Sequence, residues 1–135
     1  MEHYKLLTNS LNNYLFKQLD TLIDNIIYKK NIEIFDYDLI EGLSGIANYL
    51  LQYYKRDKSS KAEIYIRKIL EYLVKLTKPV DYNGCNLPGW FIKNELLSNN
   101  IEKKYYKNGL LNLGLSHGIP GPLIIKDSYE WNGYY

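Results

Sequence analysis

The sequence is poor in the residues that build cross-links and metal centres. It has one cysteine, Cys85, and two histidines, His3 and His117. One thiol excludes an intrachain disulfide and a cysteine-rich metal site. Long apolar runs are also missing, and none approaches the ~18 residues of a membrane-spanning helix. The N-terminal Met1-Glu2-His3-Tyr4-Lys5 leads into Asn9, Ser10, Asn12 and Asn13, which is not the apolar core of a signal peptide. The expectation is a soluble, cytoplasmic protein without a membrane span. Charge of one sign is scarce as well. The net charge is +2, and lysines alternate with carboxylates, as in Lys55-Arg56-Asp57-Lys58. That pattern offers no basic face for nucleic acid.

What is present fits one modest globular domain. The chain has 135 residues, 46% hydrophobic and 24% charged, enough for a real core. Fifteen tyrosines accompany abundant Asn, Lys and Ile, which reads as compositional bias before aromatic function. Leu11, Leu15, Leu19, Leu22 and Ile26 recur at steps of three and four, predicting an amphipathic helix over about Leu6 to Lys29. A second helix is expected from about Asp38 to Lys55. Leu39, Ile40, Leu43, Ile46, Ala47, Leu50 and Leu51 cover most of its circumference, so it is an inner helix with several neighbours. Gly42 and Gly45 in its first turns each cost about 1 kcal/mol against alanine, which points to close backbone approach. A third, outer helix spans about Ser60 to Leu76, with Ala62, Ile66, Ile69, Leu73 and Leu76 on its buried face and Pro79 beyond its end.

From Val80 to Leu115 the helical periodicity fades. Asn83-Gly84, Pro88-Gly89, Asn99-Asn100 and Asn108-Gly109 are turn dipeptides, with room for one short helix around Asn94 to Lys104. A loop of this length commonly serves a site or a partner. A fourth helix is expected to begin near Pro120 to Pro122, because proline is tolerated in a helix's first turn. It leads into a polar, aromatic tail ending at Tyr135. Glu41-Gly42-Leu43-Ser44-Gly45 echoes His117-Gly118-Ile119-Pro120-Gly121. Each is a polar residue and Gly-x-x-Gly opening an apolar segment, the grammar of a helical-hairpin repeat. The fold class that follows is all-α, built from such hairpins.

His117 is the leading candidate for chemistry. It lies in Asn112-Leu113-Gly114-Leu115-Ser116-His117-Gly118-Ile119-Pro120-Gly121-Pro122-Leu123, with Ser116 as the expected N-cap. A neutral imidazole there can act as a general base and, once protonated, as an acid. The plainer alternative is a histidine that caps or hydrogen-bonds a loop. Asp38-x-x-Glu41 is a capping-box pattern, and it also puts a carboxylate at the mouth of one inner helix, where it could orient His117 at the mouth of the next. Cys85 has no ligand partner at metal spacing and reads as a loop thiol. Trp90 reads as an anchor of the long loop in the core, with a peptide-contacting platform as the alternative. His3 carries no assignment.

Three stretches together resemble the LanC-type lanthionine synthetase cyclases. They are Tyr37-Asp38-Leu39-Ile40-Glu41-Gly42-Leu43-Ser44-Gly45-Ile46, Pro88-Gly89-Trp90-Phe91-Ile92, and Asn112 through Leu123. The resemblance implies an α/α toroid, of which residues 1–135 would be a single-domain portion of about a third. It implies lantibiotic biosynthesis, in which cysteine thiols of a dehydrated precursor peptide add to dehydrated Ser or Thr residues and form thioether rings. It implies zinc, held by two cysteines and a histidine, and a catalytic role for His117 and, beside it, Asp38. The zinc-ligand motifs of the family have no counterpart here. The chain alone is therefore expected to bind no zinc and to be inactive, as a fragment, a split gene product or a degenerate copy. Implied partners are the precursor peptide and a complementing downstream segment or a dehydratase. The alternative is a non-catalytic helical-hairpin module that binds a peptide or a partner protein.

Overall fold

A computed structural model describes residues 2–129; the end of the aromatic tail lies outside the described residues. The first helix, α1 (Glu2–Ile27), begins earlier than its apolar pattern predicted and takes in His3, which is exposed. Its buried side is Asn12, Phe16, Leu19, Ile23 and Ile26, again at three- and four-residue steps. Leu11 and Leu22, expected on that stripe, are exposed. The reason is a neighbour. The Phe16 ring stacks on Tyr65 of the third helix with centroids 5.5 Å apart, which turns the buried face toward Phe16 and Ile23.

A helical hairpin follows, α2 (Leu43–Asp57) and α3 (Ser60–Leu76). Lys58 closes α2 in the left-handed conformation, at φ 52°. Ser59 then caps α3, its hydroxyl accepting the Ala62 N–H at 3.3 Å. Such a short link forces the two helices back on one another, and they pack along their length. Leu43, Ala47, Leu50 and Leu51 of α2 meet Ile66, Ile69, Leu70 and Leu73 of α3 in the core. Each of the leucines and isoleucines among them contributes about 1.5–3 kcal/mol on burial. The expected buried face of α3 is present in full, and Tyr65, Leu70 and Tyr72 widen it because α1 packs there too.

The start of α2 departs from expectation. The helix begins at Leu43, five residues after Asp38, with Gly42 in the N-cap position. Residues 34–42 form a tight irregular segment instead. Within it Ile34–Asp36 is one 3-10 turn, and Asp36 accepts the Glu33 N–H at 2.8 Å. Lys29 reaches Asp36 at 3.0 Å and ties this segment to the end of α1. A β-carbon on Gly42 would lie 2.5 Å from the Asp38 backbone nitrogen, and one on Gly45 2.5 Å from the Leu39 carbonyl oxygen. The close approach inferred from these glycines is therefore present, and the backbone that presses on them is the segment carrying Asp38.

The mostly helical architecture that was expected holds, with one small insertion of strand between Leu76 and Asn94. β1 (Pro79–Tyr82) and β2 (Cys85–Pro88) pair antiparallel, with Tyr82 opposite Cys85. Asn83 and Gly84 both take positive φ, 55° and 78°, as a two-residue hairpin turn of the right hand requires. A 3-10 turn over Asn94–Leu96 and the short α4 (Asn100–Tyr105) follow, and Asn99 caps α4 through the Glu102 N–H at 2.8 Å. Ile92 and Leu110 join in an isolated bridge. Trp90 packs against the core, the anchoring role expected of it. The last helix, α5 (Pro120–Ser128), carries Pro120 in its first turn and packs on α2.

Candidate functional site

Two helix mouths meet beside one another. The Leu39 N–H, ahead of α2, donates to the Ser116 carbonyl, ahead of α5, at 2.9 Å. That backbone bond brings together the two Gly-x-x-Gly segments. Gly118 and Gly121 are crowded like Gly42 and Gly45: a β-carbon on Gly118 would strike the Asn112 carbonyl oxygen, and one on Gly121 would lie 2.9 Å from that of Leu115. Ser116 does not cap α5, because Ile119 holds the N-cap position without a side-chain bond. The Ser116 carbonyl, not its hydroxyl, does the positioning.

Asp38 and His117 are the side chains that this junction joins. The Asp38 carboxylate is fully buried, and the His117 side chain is 51% exposed. Asp38 Oδ1 accepts the N–H groups of Glu41 and Gly42, at 2.6 and 2.8 Å. Asp38 Oδ2 meets His117 Nδ1 at 2.8 Å, across 79 residues of sequence. Below them, the Ser44 hydroxyl donates to the Tyr37 carbonyl and locks the segment onto α2. Glu41 is exposed and forms no capping box with Asp38. Asp38 caps the turn before the helix rather than the helix itself.

The arrangement dictates a tautomer. An ionised carboxylate only accepts, so Nδ1 carries the hydrogen and donates it to Asp38. Nε2 of the neutral ring then has a free lone pair on the accessible side of the imidazole. If that nitrogen takes up a proton, the buried carboxylate faces the resulting positive charge directly. The two candidates read from the sequence are thus brought into contact. Cys85 is not part of the site; it is exposed on β2. Sequence reasoning overlooked Leu39 and the Ser116 carbonyl, whose roles are backbone roles without a side-chain signature.

Among the described residues, no three His, Cys, Asp or Glu side chains gather into a group that could hold a metal ion. The Asp38–His117 pair lacks the third protein ligand of a catalytic zinc site. The residues present do not fit zinc.

Helical hairpins with inner helices opened by Gly-x-x-Gly, and an acid–imidazole pair between two such mouths, define a protein of the α/α-toroid class. The chain belongs to the lanthionine synthetase C-like family, whose model, described as "Lanthionine synthetase C-like protein", matches residues 2–131. It is 38% identical over 133 residues to the nisin biosynthesis protein NisC of Lactococcus lactis subsp. lactis, covering 98% of this chain and 30% of that protein. Its fold matches a solved structure of nisin cyclase with a TM-score of 0.80 at 35% identity, over 98% of this chain and 31% of that one. The chain thus spans about a third of the length of these relatives. The fold is mostly helical and corresponds to part of such a toroid, and it includes one short β-hairpin.

Proposed function

We propose that the chain supplies the proton-transfer part of a lanthipeptide cyclase. In this reading His117 Nε2 takes the proton of a cysteine thiol in a dehydrated precursor peptide. The sulfur attacks the β-carbon of a dehydroalanine or dehydrobutyrine, and the C–S bond forms as the C=C electron pair moves toward the adjacent carbonyl. The imidazolium, held by Asp38, returns the proton to the α-carbon. One S–H and one C=C are consumed, and one C–S and one C–H are formed. The observation that carries this reading is the 2.8 Å bond from the half-exposed imidazole to a buried carboxylate that is already fixed by two backbone N–H groups. Membership of the family supplies the reaction class.

Residues 1–135 are read as a portion of one domain that further hairpins complete, in cis or in trans. Zinc in the family supplies thiol activation; no residue set described here holds it, and no step above depends on it. The peptide substrate and a cytoplasmic setting follow from the same reading. Among the described residues no helix is long and apolar enough to cross a membrane.

The test is a chimera in which this chain replaces the matching third of the nisin cyclase. Thioether formation on a dehydrated precursor is followed by mass spectrometry and loss of free thiol, corrected for folded protein. His117→Asn is expected to slow ring closure about 10²-fold, the usual worth of a general acid or base. Asp38→Asn is expected to slow it less, and the double variant to be little worse than His117→Asn alone. Cyclisation by His117→Asn at the parent rate overturns the proposal. One observation favours a second reading, a peptide-binding module without catalysis: the described residues contain no metal-ligand group. The chimera separates the two, since a loss of ring closure in folded His117→Asn protein would rule out the second.

A further inference from the structure

Away from the Asp38–His117 pair, a cleft of about 330 Å³ opens between the end of α1, the end of α3 and the β-hairpin. Leu76, Val80 and Phe91 contribute apolar surface to it. Tyr72 also lines it; the residue is 5% exposed, and its hydroxyl has no hydrogen-bond partner among the described residues. Four lysines, at positions 29, 30, 75 and 93, face one carboxylate, that of Asp81. Lys29 is engaged by Asp36 and Glu33, and Lys93 lies over the Tyr82 ring. Lys30 and Lys75 are exposed and form no ion pair among the described residues. β1 runs along the cleft through Val80, Asp81 and Tyr82, and among the described residues β2 alone pairs with it, which leaves its other edge without a strand partner.

These features have one common complement. Two unpaired ammonium groups call for carboxylates, the apolar walls call for an aliphatic side chain, and the Tyr72 hydroxyl calls for an acceptor. The open strand edge calls for extended backbone. We propose that this cleft docks an extended acidic peptide segment, with carboxylates on Lys30 and Lys75, an apolar side chain among Leu76, Val80 and Phe91, and an acceptor at the Tyr72 hydroxyl. Salt bridges alone would hold such a segment weakly, since exposed ion pairs are screened by solvent. The apolar contact and the Tyr72 hydroxyl supply the selectivity. The site is separate from His117, and its occupancy is read by binding alone, so it stands or falls independently of thioether chemistry.

The probe is a fluorescein-labelled twelve-residue peptide of alternating glutamate and leucine, followed by fluorescence anisotropy with the full chain. Saturable binding that weakens with added salt is expected. Lys30→Glu with Lys75→Glu should weaken it about tenfold or more by placing like charges opposite the peptide. Tyr72→Phe should weaken it about threefold through the lost hydroxyl. Val80→Asp, at a residue already 46% exposed, tests the apolar wall without a core change and should also abolish tight binding. Circular dichroism of each variant checks the fold. Equal binding of a glutamate–serine peptide would show that charge alone is read and would overturn the proposal. So would unchanged affinity in the double lysine variant, or anionic lipid vesicles competing as well as the unlabelled peptide.

Discussion

At the scale of single residues, Asp38 holds the candidate site together. Its Oδ1 secures the turn into α2 and its Oδ2 orients His117. Asp38→Asn can keep one of these tasks. The amide oxygen can still accept from Glu41 and Gly42, but the amide nitrogen then faces Nδ1 and donates to it. His117 should switch to the Nε2–H tautomer and lose its free lone pair. Two- and three-bond ¹H–¹⁵N correlations of the imidazole read this directly, and an unchanged Nδ1–H tautomer in the variant would refute it. Asp38→Ala should cost about 2 kcal/mol of stability in urea unfolding, because the buried Gly42 N–H and the part-buried Glu41 N–H lose their acceptor. A second prediction concerns the tyrosines. Burial, then the hydrogen bond to Asp20, pushes Tyr65 up to about 12. Burial likewise raises Tyr37, with Asp38 and Asp36 adding to it, and Tyr72, with Asp36 adding to it. An unfolded tyrosine ionises near pH 10. Between about pH 10 and about pH 12, therefore, the unfolded chain has shed protons that the folded chain keeps. The stability these groups confer is complete below about pH 10 and is lost as pH rises through the folded values. Urea midpoints should fall across that window, and Tyr65→Phe should flatten the fall.

At the scale of elements, the glycines separate two kinds of constraint. Gly45 sits within α2, where alanine would ordinarily gain about 1 kcal/mol of helix propensity. Its added β-carbon would lie 2.5 Å from the Leu39 carbonyl oxygen, a backbone atom with no freedom to swing away. Gly45→Ala should therefore be destabilising by about 2 kcal/mol, the usual cost of overpacking. Gly84 has open space around it but φ 78°. Gly84→Ala should cost about 1 kcal/mol, for conformational reasons alone. Thermal and urea unfolding of the two variants should show both losses, and a stabilised Gly45→Ala would refute the close-approach account. The helices were legible because each keeps a three- and four-residue rhythm over several turns. The β-hairpin was not, because four-residue strands carry too little periodicity to stand out. Its signal was nevertheless present: Asn83-Gly84 flanked by Val80, Tyr82, Cys85 and Leu87 is a hairpin signature that turn content alone obscured. The early start assigned to α2 had a different cause. Leu39 and Ile40 continue the apolar pattern, but Ile40 is 62% exposed and the backbone at Asp38 is bent to reach Ser116.

At the scale of the molecule, much apolar surface stays exposed, on the first half of α1 and also near the two helix mouths. Ile40, Leu113 and Leu115 are 62%, 71% and 56% exposed, and Leu123 and Ile124 on α5 are about half exposed. Exposed apolar surface concentrated in one region promotes association. The purified chain is expected to self-associate at micromolar concentrations, seen by sedimentation velocity, with Ile40→Lys and Leu115→Lys shifting it toward monomer. A strict monomer at high concentration with a sharp, reversible melt would refute this.

The sequence by itself determined the helices, the buried face of α3, the paired Gly-x-x-Gly mouths and the identity of the two candidate residues. Those properties are local, set by side-chain periodicity and by which residues tolerate crowding or a bent backbone. Only the tertiary structure decided that Asp38 and His117 touch. Their meeting depends on one backbone bond between Leu39 and Ser116 and on the packing of α5 against α2, neither of which leaves a mark on side-chain spacing. The buried face of α1 and the cleft beside the hairpin were decided in the same way. Each is made by elements that are distant in sequence and that take their orientation from their neighbours.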